Sequence, residues 1–160
     1  MRRRGHRALL VSLAFIGGSL PTLAWSGDSN RVYDSTCALC HQRDGAGLPG
    51  QFPRLAGRAG EIASTPAGRR YLINVVLFGL AGKVSVDGTP IIGVMPSFAT
   101  SSDEDIASVL NFVASLGAKH GEKPAPPISA ADVKAARASP ALSPSQVREQ
   151  RDAMRVAQVK

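Results

Sequence analysis

Apolar residues recur at helical spacing most clearly late in the chain, where Ile106, Val109, Leu110, Val113 and Leu116 form one stripe. Ser101 and Glu104 ahead of it predict a capping box, and Gly117 predicts the stop. A second stripe lies in "AGRRYLINVVLFG". Thr65-Pro66 starts it, with proline in the first turn, and it ends near Gly79. Leu72, Val75, Val76 and Gly79 share a face that Tyr71, Leu77 and Phe78 widen, so this helix is expected to be largely buried. A sparser pattern, Val32, Tyr33 and Leu39, predicts a short helix from about Asn30, capped by Asp28 or Ser29 and running into Cys37-Ala38-Leu39-Cys40-His41.

The period changes in "KVSVDGTPIIG". Val84 and Val86 alternate with polar residues, Asp87-Gly88 marks a tight turn and Ile91-Ile92 return, which predicts a β-hairpin. Pro90 is expected to keep its second strand short and at an edge. The Gly- and Pro-rich stretch from Gly45 to Gly60 predicts a loop wrapped around something. Beyond Gly121, Pro124, Pro126, Pro127, Pro140 and Pro144 interrupt a polar tail with few large apolar residues. Within it "ISAADVKAAR" is echoed by "LSPSQVREQR", with Ser129/Ser143, Val133/Val147 and Arg137/Arg151 in register. Two short helices on a flexible linker, or disorder, both fit such a segment.

The N-terminus changes the charge picture. Arg2, Arg3, Arg4 and Arg7 precede an apolar run from Ala8 to Leu20 and a small-residue site around Thr22 to Ser26, the pattern of a secretory leader. The run is short for a membrane span, which needs about 20 apolar residues, so an uncleaved anchor is the weaker reading. Without residues 1–24, Lys+Arg falls from 19 to 15 against 12 acids and the net charge from +7 to +3. No basic patch interleaved with aromatics remains, which disfavours nucleic-acid binding.

Cys37 and Cys40 are the only cysteines of the chain, and His41 follows directly. Three chemistries compete for them. A thioredoxin-like dithiol belongs at a helix start in a βαβ unit, a pattern missing here. Structural zinc needs about four ligands; His120 is the other histidine outside the leader, but it lies far off and unpaired. Covalent haem attachment has C-x-x-C-H as its direct signature. Thiols one helical turn apart can reach two vinyl groups on one edge of a macrocycle, and the adjacent imidazole can ligate iron. Met95, in "GVMPSF", is the candidate for the opposite axial position, in a loop between hairpin and helix with the aromatic Phe98 beside it. A gap-filling core thioether is the plain alternative.

Taken together, Asn30 to Gly117 resembles a class I, single-haem cytochrome c of the small exported bacterial type. The resemblance rests on the helix running into C-A-L-C-H, the loop G-x-G…F-P-R-L-A-G, the hairpin, M-P-S-F and the helix D-E-D-I-A-S-V-L-N-F-V. It implies an all-α cytochrome c fold of three to five helices around a covalently bound haem, with a small β-hairpin before the axial methionine. It implies thioethers at Cys37 and Cys40, His41 and Met95 as axial iron ligands, and Pro53 as the residue whose carbonyl accepts the His41 ring N–H. Its domains would be a leader at 1–24 cleaved near 24–26, a cytochrome c domain at 25–120 and the tail at 121–160.

Two filled axial positions leave no open iron site, so the expectation is an electron carrier and not an enzyme. The alternatives are a haem-binding subunit of a multi-subunit dehydrogenase, or a haem sensor if Met95 dissociates. The expected setting is the periplasm, with a periplasmic dehydrogenase or reductase and a terminal oxidase or another cytochrome as redox partners. A membrane enters only if the leader stays uncleaved. Leu39, Leu48 and Phe52 could rim an exposed haem edge or fill the core. The tail, beyond a helix already closed by Gly117, is expected to serve a partner and not the haem domain.

Overall fold

The computed structural model describes residues 28–121 and 123–154, so the expected leader and its cleavage site lie outside the described residues. The elements are α1 (Asp28–Thr36), α2 (Ala38–His41), α3 (Arg58–Ala63), α4 (Pro66–Phe78), β1 (Leu80–Val86), β2 (Thr89–Met95), α5 (Asp103–Ser115), α6 (Ala130–Arg137) and α7 (Pro144–Ala153). This is a mostly α-helical fold with one two-stranded antiparallel sheet, compatible with that of a cytochrome c. Among the described residues there are seven helices and not three to five. The chain turns tightly at Cys37 and splits the first helix in two, the Gly-rich stretch contains α3, and the tail adds α6 and α7.

Start signals are displaced by small amounts. Asp28 and Ser29 fall inside α1 and do not cap it. In α5 the cap is Ser102, whose Oγ accepts from Asp105 N at 3.0 Å. Ser101 is one residue too early because its own N–H closes a turn onto the Phe98 carbonyl. In α4, Thr65 Oγ1 accepts from Gly68 N and Pro66 takes the first position. The loop after His41 ends at Gly57. Helix α3 then runs straight through Gly60, where a Cβ would stand 2.6 Å from the Ala114 carbonyl oxygen, so glycine is what lets α3 lie against α5.

Helix α1 packs on α5 through Tyr33, fully buried, whose ring centroid is 5.2 Å from that of Phe112. In the hairpin Val84 pairs with Ile91 and Leu80 with Met95, around Asp87 and Gly88 at φ 51° and 78°. Positive φ at both turn residues matches the strand twist. Both strands are seven residues long, so Pro90 does not shorten β2. With only one partner strand there is an open side on which a missing N–H is harmless. Met95 is therefore the last residue of β2 and not a loop residue.

The expectation for the tail is overturned. Ile128 and Val133 enter a cluster with Ile73, Leu77, Ile106, Ala107 and Leu110. Val147 joins Ile62 and Tyr71. Both Val133 and Val147 are fully buried, so the small apolar residues read as a partner surface lie on the chain's own domain. The two echoed segments dock alike. Ser129 and Ser143 each form a capping box. Arg137 grips Asp103 and the Ser101 carbonyl at 2.9 Å each, and Arg151 donates to the Ser85 carbonyl at 2.8 Å. The linker is held as well, since the Asn111 amide donates to Ile128 O at 2.7 Å and accepts from Ile128 N at 2.8 Å.

Candidate haem site

Cys37 sits at the joint between α1 and α2: its N–H bonds the Tyr33 carbonyl at 2.8 Å and its carbonyl receives the His41 N–H at 2.9 Å. Both thiols are free and half-buried. Burial, and next the neighbouring Cys40, push the Cys37 thiol up to about 11. That is opposite to the depressed thiol on which dithiol redox motifs depend. His120 is exposed, and among the described residues no three His, Cys, Asp or Glu side chains gather as a metal site, which removes the zinc reading's donor set.

His41 is 7% exposed, and its Nδ1 lies 2.9 Å from the Pro53 carbonyl oxygen. A carbonyl only accepts, so Nδ1 carries the proton and Nε2 keeps its lone pair. Burial lowers the His41 pKa against the opposing effect of the Pro53 bond, which keeps the imidazole neutral as a metal ligand must be. The loop bearing Pro53 is tied at both ends. Gly47 N donates to the His41 carbonyl, Leu55 and Ala56 donate to Gly45 O, and Arg54 makes a two-pronged bond to Asp87 at 2.8 and 2.9 Å.

Cys37, His41, Pro53 and Met95 line one cavity with Leu55, Leu72, Val75, Val76, Leu80, Val109, Leu110 and Val113. The α4 stripe Leu72, Val75 and Val76 thus faces this cavity, while Tyr71, Ile73 and Leu77 carry the deepest packing of the helix. An adjoining cavity shares Cys37, Val76, Met95 and Val109 and reaches Phe98. Cys40 is the expected site residue that lines neither. Leu39 is 88% exposed and Leu48 41%, so neither is core; Phe52 is half-buried. A larger cavity of about 760 Å³ between α3, α5 and the Pro124 to Pro127 linker holds no cysteine, histidine or methionine.

Sequence reasoning missed Arg58, Tyr71 and Arg151, which line the same cavity as His41 and Met95. Arg58 had been absorbed into a loop and Tyr71 into an apolar face. Arg151 belonged to a tail with no expected role in the domain, although its register with Arg137 was a signal.

The profile of the family described as cytochrome c oxidase, cbb3-type, subunit III, matches residues 28–113, ending within α5. A cytochrome c-552 of Thermus thermophilus is 43% identical over 143 residues, covering 89% of this chain and 93% of that one. A second cytochrome c-552 from Thermus thermophilus is 46% identical over 125 residues, 78% of this chain and 94% of its own length. The cytochrome c subunit of a quinone alcohol dehydrogenase from Gluconobacter oxydans is 39% identical over 83 residues, 51% of this chain but 16% of that protein. An alignment over 89% of the chain cannot avoid the last forty residues, so the tail belongs to the likeness with the first of these. The chain belongs to the cytochrome c family: it is a haem protein of electron transfer and not an enzyme.

Proposed function

We propose that the chain carries one covalent haem c, held by thioethers at Cys37 and Cys40 with His41 and Met95 as axial iron ligands, and passes single electrons between partner proteins in the periplasm. The observation that carries this reading is the convergence of Cys37, a neutral His41 oriented by Pro53, and Met95 on one apolar cavity. The residues fit the group: a thiol pair one turn apart, an imidazole nitrogen with a free lone pair, a thioether and an aliphatic wall. When bound, haem supplies a one-electron ferric/ferrous couple.

The side chains set the terms of that couple. Pro53 fixes the ring plane and tautomer of His41 and raises its basicity as a ligand. The thioether of Met95 is soft and favours the ferrous state, raising the potential relative to harder ligands. The aliphatic wall excludes water and disfavours the extra charge of the oxidised centre, in the same direction. With both axial positions taken, the residues offer nothing for binding oxygen or a substrate, which supports transfer without chemistry. Exposed Leu39 and Leu48 flank the attachment segment and suit brief apolar contact with a redox partner.

A periplasmic address rests on the leader pattern, and no helix among the described residues is long and apolar enough to cross a membrane. The resemblance to the quinone alcohol dehydrogenase's cytochrome c subunit supports a dehydrogenase as electron donor. Mass spectrometry of the mature chain should show one haem added irreversibly, and two free thiols would sink the reading. Met95→Ala should retain haem, lose the ferric methionine–iron charge-transfer band and fall in potential; a spectrum identical to the parent's would rule Met95 out.

A further inference from the structure

Arg58, on α3, is 3% exposed, yet its Nε and Nη1 have no hydrogen-bond partner. A guanidinium this deep is costly unless it is paired and hydrogen-bonded. The nearby acids do not serve it: Asp87 is taken by Arg54, and Glu61 is exposed on the solvent side of α3. Its nearest cationic neighbour makes matters worse. Burial first, and the charge of Arg151 second, push the Arg58 guanidinium below its usual range.

Arg151 reaches this place from α7, anchored through Nη2 to the Ser85 carbonyl, and lies against the hydroxyl of Tyr71, itself 3% exposed. All three side chains line the cavity that also takes Cys37, His41 and Met95. Two fixed positive charges and a phenol offer hydrogen-bond donors with no anion of the chain to receive them. Their chemical complement is a pair of carboxylates. Guanidinium suits that role because its planar fork matches a carboxylate in two-pronged geometry.

We propose that Arg58, Tyr71 and Arg151 bind the propionate carboxylates of the haem, so that the C-terminal tail closes the cofactor pocket through a charged contact of its own. This rests on the haem reading above. It explains why a cation is left unpaired inside an apolar wall, and why α7 is laid across the pocket by its arginine. Docking of the tail and retention of the cofactor are then coupled, because Arg58 and Arg151 repel each other until the carboxylates lie between them.

The test uses full-length holoprotein. Arg151→Gln, on a half-exposed helix, should keep haem and its His/Met absorption while lowering the reduction potential and shifting the propionate bending band in resonance Raman. Tyr71→Phe should shift the same band. Arg58→Lys, keeping the charge without the fork, should hold the potential near the parent's but alter the band. If Arg151→Gln and Tyr71→Phe leave the band unmoved, the proposal fails, even where the potential drifts, since a distant charge alone could do that. A parent chain that purifies without haem would defeat the underlying reading and is distinguished at once.

Discussion

Nδ1 of His41 is held 2.9 Å from the carbonyl oxygen of Pro53, and the residue after that proline, Arg54, is clamped to Asp87 in the hairpin turn. The orientation of the imidazole is thus secured by an ion pair spanning 33 positions of sequence. The pair is partly solvated, with side-chain exposures of 29% and 37%, so its removal should cost about 1 kcal/mol or less. The Arg54 guanidinium holds the Asp87 carboxyl below its ordinary value. The contribution of a group with a depressed folded pKa is present above its unfolded value and disappears as pH falls through the folded one. Asp87→Asn should therefore melt slightly below the parent at neutral pH, and the two curves should converge in strong acid. Thermal melts across that range check it.

Burial of the tail valines predicts a larger effect. Fully burying a valine is worth about 1.5–3 kcal/mol, and a vacated site adds a cavity cost. Val133→Ala and Val147→Ala should each lose about that much in denaturant unfolding. They sit in separate clusters, so the double variant should come near the sum. Truncation at Gly121 should destabilise the haem domain severely, where a detached tail would leave it unchanged.

Asn111 sets out a third test, of the linker alone. Its amide both gives to and takes from the backbone of Ile128, as a neighbouring strand would. Asn111→Ala strands a buried N–H and C=O together, at about 1–3 kcal/mol for each group left unsatisfied. Hydrogen exchange should show α6 opening more often, while α1 and α3 keep their protection. Equal loosening throughout the molecule would contradict it.

The residues that were legible beforehand were those whose local chemistry is self-contained. The α5 stripe, the Thr65-Pro66 start and the Asp87-Gly88 turn each carry their signal within a few positions. So does Cys37 to His41, where spacing and residue type name the cofactor. What escaped was tertiary in origin. Helix α3 contains Gly60, a poor helix former, and exists because the Ala114 carbonyl crowds that site. The tail looked too polar to bury, yet one valine per helix is enough when Leu77 and Tyr71 offer matching surface. The echo of Ser, Val and Arg was read correctly as a one-sided pattern, but nothing in the sequence says which surface it meets. Arg58 is invisible for the same reason: only the fold shows that its guanidinium points inward.

Gly79 joins α4 to the strand pair that ends in Met95, and its conformation leaves little choice of residue. Its φ of +80° is a region side chains avoid. A Cβ there would also stand 2.6 Å from the Met95 carbonyl oxygen and 3.2 Å from Ser97 N. Both neighbours are backbone, so relief requires moving the segment that carries Met95 and not merely a rotamer. Backbone strain of this kind costs about 1–3 kcal/mol. Because Leu80 pairs with Met95, the displacement is transmitted across the ladder to the thioether's own residue. Gly79→Ala should thus lose stability in that range and weaken the ferric methionine–iron band out of proportion to the change in melting temperature. A variant of similar cost placed elsewhere, Val133→Ala, should leave that band intact. If the two variants affect the band alike, the link from the end of α4 to the sulfur is not specific.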